Sequence, residues 1–101
     1  MKAYELIEQF DWCQGDYALN ENGADVAPEN PEAVCFCSLG AIVRCYEAGL
    51  SQDLAVQRLA SEIQRGEHYL FISGGSVVVR WNDTRGRKKQ DVIEMMKAAD
   101  V

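Results

Sequence analysis

A thiol, an imidazole and a carboxamide occur in the order Cys37, His68, Asn82, the order in which papain-like hydrolases present nucleophile, base and orienting amide. In that chemistry the cysteine attacks an acyl carbon as its thiolate, the histidine carries the proton, and the amide holds the imidazole in the useful tautomer. A thiolate at neutral pH needs a helix N-terminus or a neighbouring imidazole. Cys37 directly precedes Ser38, a residue able to start a helix, and His68 adjoins an apolar run. Residue order alone carries no geometry, however. Cys37 also falls on a stripe of small residues, and 101 residues leave little room for a substrate cleft. The reading these residues favour is a packed, reduced Cys37 behaving as a small hydrophobe, with the thiol hydrolase as the alternative.

Cys13, Cys35, Cys37 and Cys45 could fill a tetrahedral zinc site by number, but no C-x-x-C knuckle is present. On one helix Cys35 and Cys37 would point about 200° apart. No metal site is therefore expected, and no motif implies a cofactor. In Asn20-Glu21-Asn22-Gly23, Ala18 stands where a calcium loop needs its first carboxylate, which leaves an ordinary turn. The residues best suited to contact a ligand are Trp81, Asn82, Asp83, Arg85 and Arg87, the last two belonging to a basic cluster completed by Lys88 and Lys89. Local structure also explains Trp81-Asn82-Asp83: an indole for the core, then Asx side chains that accept backbone N–H bonds in a turn leading to the final helix. Lys88 and Lys89 stand where a helix macrodipole disfavours cations, a hint of a use besides stability.

The elements that must position these groups follow from apolar spacing. Cys35 to Ala48 is the most apolar helix-length run. At about 100° per residue, Cys35, Phe36, Leu39, Ile42, Val43 and Tyr46 share one face and Cys37, Ala41, Cys45 and Ala48 another, leaving Gly40, Arg44 and Glu47 as a polar arc. Such a helix needs covering on most sides and is expected to be central. It can begin at Asn30-Pro31 or at Ser38, and only the second start places Cys37 at its positive end.

Before it, residues 2–14 carry Ala3, Leu6, Ile7, Phe10 and Cys13 at helical spacing, with Gly15 as the stop. Asn22-Gly23 is expected to turn a very short hairpin between Tyr17-Ala18-Leu19 and Ala24-Asp25-Val26. After it, Gly49 ends the central helix and Ser51 caps the next, with Leu54, Val56, Leu59, Ala60 and Ile63 inward until Gly66. The β-branched and aromatic runs His68 to Ile72 and Ser76 to Trp81, around Gly74-Gly75, read as a hairpin of about 68–81; the competing reading is a short helix capped by Ser76. A last helix over about 88–99 buries Val92, Ile93, Met96 and Ala99.

With 48% apolar residues in 101, the chain suits one domain, 1–101, with one modest core. The fold expected is α+β and predominantly helical: four helices around a central one at about 31/38–48, and one hairpin before the C-terminal helix. Sixteen acidic against ten basic side chains give a net charge of −6, which argues against free nucleic acid as a partner. Residues 1–50 hold nine acids and two bases, so the acidic half can face a basic protein surface. The amphipathic start and the lack of a membrane-length apolar run predict a cytoplasmic protein with no membrane association. The partner expected is a protein.

Trp12-Cys13-Gln14-Gly15, Asn30-Pro31, Cys37-Ser38-Leu39-Gly40-Ala41, Trp81-Asn82-Asp83, Gly86-Arg87 and Asp91-Val92, in that order, resemble the uncharacterised family of short bacterial and phage proteins catalogued as domain-of-unknown-function family 6197. The resemblance covers most of the chain. It implies a bacterial or phage source and no known activity. Members usually carry Thr or Ser before the last helix, to pair with the acid three residues later, where this chain has Lys88 before Asp91.

Overall fold

The computed structural model describes residues 1–67, 69 and 72–101. Ala3, Leu6 and Ile7 form the buried stripe of α1 (Ala3–Gln9), whose N-terminus is closed by Glu5 accepting from the Lys2 amide at 2.7 Å. The helix stops at Phe10, short of the expected residue 14, because the next residues pair as strand. Asp11–Trp12 (β1) runs parallel to Cys35–Phe36 (β3), and Ala18–Leu19 (β2) runs antiparallel to β3, giving the order β1-β3-β2. The very short hairpin is present as an isolated bridge between Leu19 and Asp25. Its turn is held by the Asn20 side chain, which accepts from the amides of Asn22 (2.9 Å) and Ala24 (3.0 Å).

Strand pairing at Cys35–Phe36 also shortens the central helix, which is α2 (Ser38–Cys45) with Cys37 as its N-cap. Of the two possible starts, Ser38 is the one used. Asn30 instead closes a turn by accepting from the Glu32 amide at 2.8 Å. Ala41 and Ile42 are buried as their faces require. The polar arc is different from that expected: Gly40 is buried, and Arg44 is half-buried, its Nη1 donating to the carbonyls of Pro28 (2.7 Å) and Asn30 (3.1 Å). The close approach to α2 is made at Gly40 by backbone, where a Cβ would run into the Tyr17 carbonyl oxygen. Glycine at 40 is thus a packing requirement.

α3 (Leu50–Gln64) buries Ala55, Leu59, Ala60 and Ile63, while Leu54, expected inside, is 53% exposed. Gly49, at φ +103°, precedes it, and Ser51 lies within its first turn.

The expected hairpin of 68–81 is corrected by α4 (Gly74–Asn82), capped by Ser73, whose Oγ accepts from the Ser76 amide at 3.2 Å. His68, Leu70 and Phe71 of its first strand lie outside the described residues. Helix wins over β propensity through packing. Three valines in a helix cost up to about 0.7 kcal/mol each, whereas burying Val77 and Val78 contributes about 1.5–3 kcal/mol apiece. Val77, Val78, Trp81 and Asn82 form one buried face of α4.

α5 (Lys89–Ala99) buries Val92, Ile93, Met96 and Ala99 as expected, and Asp91 accepts from the Lys88 amide at 2.9 Å. That bond needs no hydroxyl at position 88, so Lys88 does not displace the helix start. α3 packs on α4 and α5, and α1 on α2 and α5, around one cluster of buried apolar side chains. The architecture is α+β and predominantly helical, with five helices and the small sheet among the described residues. No described helix is long and apolar enough to cross a membrane.

Candidate functional site

The last residue of α4, Asn82, has no exposed surface and lies at the N-terminus of α2. A helix N-terminus leaves amides without intrahelical acceptors, and a carboxamide oxygen can serve them. Asn82 Oδ1 accepts from the Ser38 amide (2.9 Å), Ser38 Oγ (2.6 Å) and Trp12 Nε1 (2.7 Å). The amide and the indole can only donate, which fixes the orientation of the carboxamide. Its Nδ2 donates to the Cys13 carbonyl (3.1 Å) and to Asp83 Oδ1 (2.9 Å).

The loop after β1 docks on the same joint. Gln14 Nε2 donates to the carbonyls of Asn82 (2.9 Å) and Thr84 (3.0 Å), and the Gly15 amide donates to Asp83 Oδ1 (3.1 Å). Three segments far apart in sequence, 12–15, 37–38 and 82–84, therefore meet around one amide. The expected acceptor role of Asn82 and Asp83 holds, but with other partners: they receive the amides of Ser38 and Gly15 rather than those of the final helix.

Cys37 Sγ accepts from the Gly40 amide at 3.2 Å, and the residue is 4% exposed. Burial pushes its thiol up to about 11, against the pull of the Gly40 and Leu39 amides, and the Asp83 carboxylate adds to the rise. At pH 7 about one such thiol in ten thousand is ionised. Desolvation outweighs the helix N-terminus that would otherwise activate the sulfur.

Beside this joint opens a cleft of about 280 Å³, lined by Gly15, Asp16, Tyr17, Asp25, Cys37, Val79 and Asp83. A wider depression of about 450 Å³ continues from it past Tyr17 and Val79 to Leu39, Ser73, Ser76 and Arg80. Tyr17 is 53% exposed between the two.

The structure brings together only part of the residue set chosen from sequence. Cys37 and Asn82 are neighbours across the start of α2, and His68 lies outside the described residues. Asn82 and Asp83 belong to the joint, whereas Trp81, about 100° round α4 from Asn82, meets other neighbours. There the Arg87 guanidinium stacks 4.3 Å from the indole, its Nε donates to the Trp81 carbonyl at 3.0 Å, and its Nη2 lies 3.8 Å from Glu67 Oε2. Arg85 is exposed, and Lys89 donates to the Phe10 carbonyl at 3.0 Å. The basic cluster is thus divided among separate contacts.

The cysteines divide as well: Cys45 Sγ rests 3.8 Å from the Lys2 carbonyl, at the other end of α2 from Cys37. Among the described residues no three His, Cys, Asp or Glu side chains are placed to hold a metal ion. Residues not chosen from the sequence as site residues are Trp12, Gln14, Gly15, Tyr17 and Ser38. The signals that contain all but Tyr17 are the Trp12-Cys13-Gln14-Gly15 motif and, for Ser38, Cys37-Ser38-Leu39-Gly40-Ala41, which carry no chemistry of their own until Asn82 is placed beside them.

No curated protein and no solved structure matches the chain. The model of a family matches residues 1–100, nearly the whole chain and all the segments that meet at Asn82, and the chain belongs to that family, the family of unknown function DUF6197.

Proposed function

We propose that this chain is a non-catalytic protein-binding module whose contact surface is the cleft beside Tyr17. The observation that carries the reading is the cleft's composition: a half-exposed tyrosine with Asp16 and Asp25 in the same lining, mounted on a joint in which Asn82 and Asp83 are already paired. Tyrosine supplies contact area with little entropy to lose, and carboxylates select a partner surface bearing Lys or Arg. A rigid mount lowers the cost of ordering on binding. The acidic first half supports a basic protein surface as the partner, and the net charge of −6 speaks against free nucleic acid. A bacterial or phage cytoplasmic setting goes with this reading.

The thiol hydrolase is the less favoured account. Asn82 Oδ1 already takes three donors and has no capacity left to orient an imidazole. Cys37 is capped into α2 and mostly protonated.

The test is affinity purification from the native host with the wild type and with Tyr17→Ala, read by quantitative mass spectrometry. A protein with a basic surface, retained by the wild type and lost with Tyr17→Ala at an unchanged unfolding midpoint, is the expected outcome. Equal retention by both proteins would remove the cleft as the contact surface.

A further inference from the structure

The cleft and the depression that meet at Tyr17 and Val79 differ in charge. Among the described residues, Asp16 and Asp25 line the cleft with no base beside them, and Arg80 lines the depression with no acid. Tyr17, Leu39 and Val79 make an apolar middle. Asp16, Asp25 and Arg80 are exposed, and among the described residues none of them forms an ion pair. Their charges are left for a partner.

α4 runs along this groove, with its N-cap Ser73 in the lining of the depression and its C-cap Asp83 in the lining of the cleft. From one cap to the other the helix rises about 15 Å. A long helical side chain leans toward the N-terminus of its helix, so Arg80 extends toward the turn of Ser76, away from the acidic end. An extended chain rises about 3.3 Å per residue and turns alternate side chains to one face, so three alternate residues cover about 13 Å. That length matches the groove.

We propose that this groove takes an extended segment of a partner protein with a basic, an apolar and an acidic residue at alternate positions. The inference rests on the reading of the Tyr17 cleft as the contact surface and gives the partner a sequence pattern. The base enters beside Asp16 and Asp25, the apolar side chain rests on Tyr17 and Val79, and the acid faces Arg80. Opposite charge at the two ends fixes which way the segment lies, because turning it round would set like charges together at both ends. A uniformly basic segment satisfies the acidic end alone and meets Arg80 with like charge.

The experiment selects a phage-displayed library of random heptapeptides on the immobilised full-length chain and on Tyr17→Ala, Arg80→Glu and Asp25→Lys, and reads the recovered peptides by sequencing. Unfolding midpoints confirm that the variants are folded, and Arg80→Ala and Asp25→Asn replace any reversal that is not. Peptides enriched by the wild type over Tyr17→Ala are expected to carry a base and an acid on either side of an apolar residue. Arg80→Glu should lower the recovery of the acid several-fold and keep the base, and Asp25→Lys should do the reverse. Peptides that depend on Tyr17 but carry bases alone, or that Arg80→Glu recovers unchanged, would overturn the two-ended groove and leave the Tyr17 surface standing. No enrichment over Tyr17→Ala would remove both.

Discussion

Trp81 and Asn82 are chain neighbours at the end of α4 and are held in opposite ways. Asn82 is fixed by five side-chain hydrogen bonds, to Trp12, Ser38 twice, Cys13 and Asp83. Trp81, 2% exposed, is fixed by apolar burial and by the Arg87 guanidinium over its ring. Hydrogen bonds are directional, and each donor that loses its acceptor in a dry site costs about 1–3 kcal/mol. Apolar burial and cation–π contact tolerate small displacements, the latter contributing about 0.5–2 kcal/mol. The Asn82 side therefore specifies how the 12–15 loop, α2 and α4 meet, while the Trp81 side adds stability with less positional demand.

The sharpest way to break this contrast is Asn82→Ala. It strands the Trp12 indole, the Ser38 amide and the Ser38 hydroxyl, and is expected to cost at least about 3 kcal/mol, three donors at the low end of the usual penalty, read as a fall in the denaturation midpoint. Gly40→Ala is next. Its Cβ would meet the Tyr17 carbonyl, a backbone atom that can yield only by moving the loop, so about 1–3 kcal/mol is expected from overpacking. The same variant should disturb the bond from the Cys37 amide to the Tyr17 carbonyl, now 3.1 Å, visible as a shift of the Cys37 amide resonance.

On the aromatic side, Arg87→Lys keeps the charge but loses the planar stack and the Nε bond, and should cost about 1 kcal/mol. Arg85→Ala, at an exposed position, should stay within about 0.5 kcal/mol. An Arg87→Lys loss larger than that of Asn82→Ala would reverse the ranking of the two sides. Thiol labelling sharpens the picture further: Cys37 alkylation should be slow at pH 7 and accelerate as the pH rises toward about 11. Fast labelling at neutral pH would restore the nucleophile.

What could be read from the sequence follows from how local each signal is. α5 was legible because Val92, Ile93, Met96 and Ala99 hold helical spacing between polar residues, and the burial of those four is what the structure contains. α4 was not, because Val77, Val78 and Val79 satisfy a strand pattern as well as a helical one, and only contact with α3 and α2 decides between them. α1 read too long because Cys13 continues the helical spacing, while the competing partner, β3, lies more than twenty residues away. Strands of two residues are too short to show alternation.

At the site, the capacity of Asn82 and Asp83 to accept backbone amides was visible in their side chains. The identity of the donors, Ser38 and Gly15, was not, since it is fixed by tertiary packing. Trp81 and Asn82 meet different neighbours because adjacent residues on a helix point about 100° apart.

The joint at Asn82 is tested most directly by hydrogen exchange of the Trp12 indole N–H and the Ser38 amide, followed by NMR in the wild type and in Asn82→Ala. Both protons bond to the same buried oxygen, so both should exchange only through opening of the joint, at matching rates, and both should lose protection together when the carboxamide is removed. A Trp12 indole that exchanges freely in the wild type, or a Ser38 amide that keeps its protection in Asn82→Ala, would contradict the account.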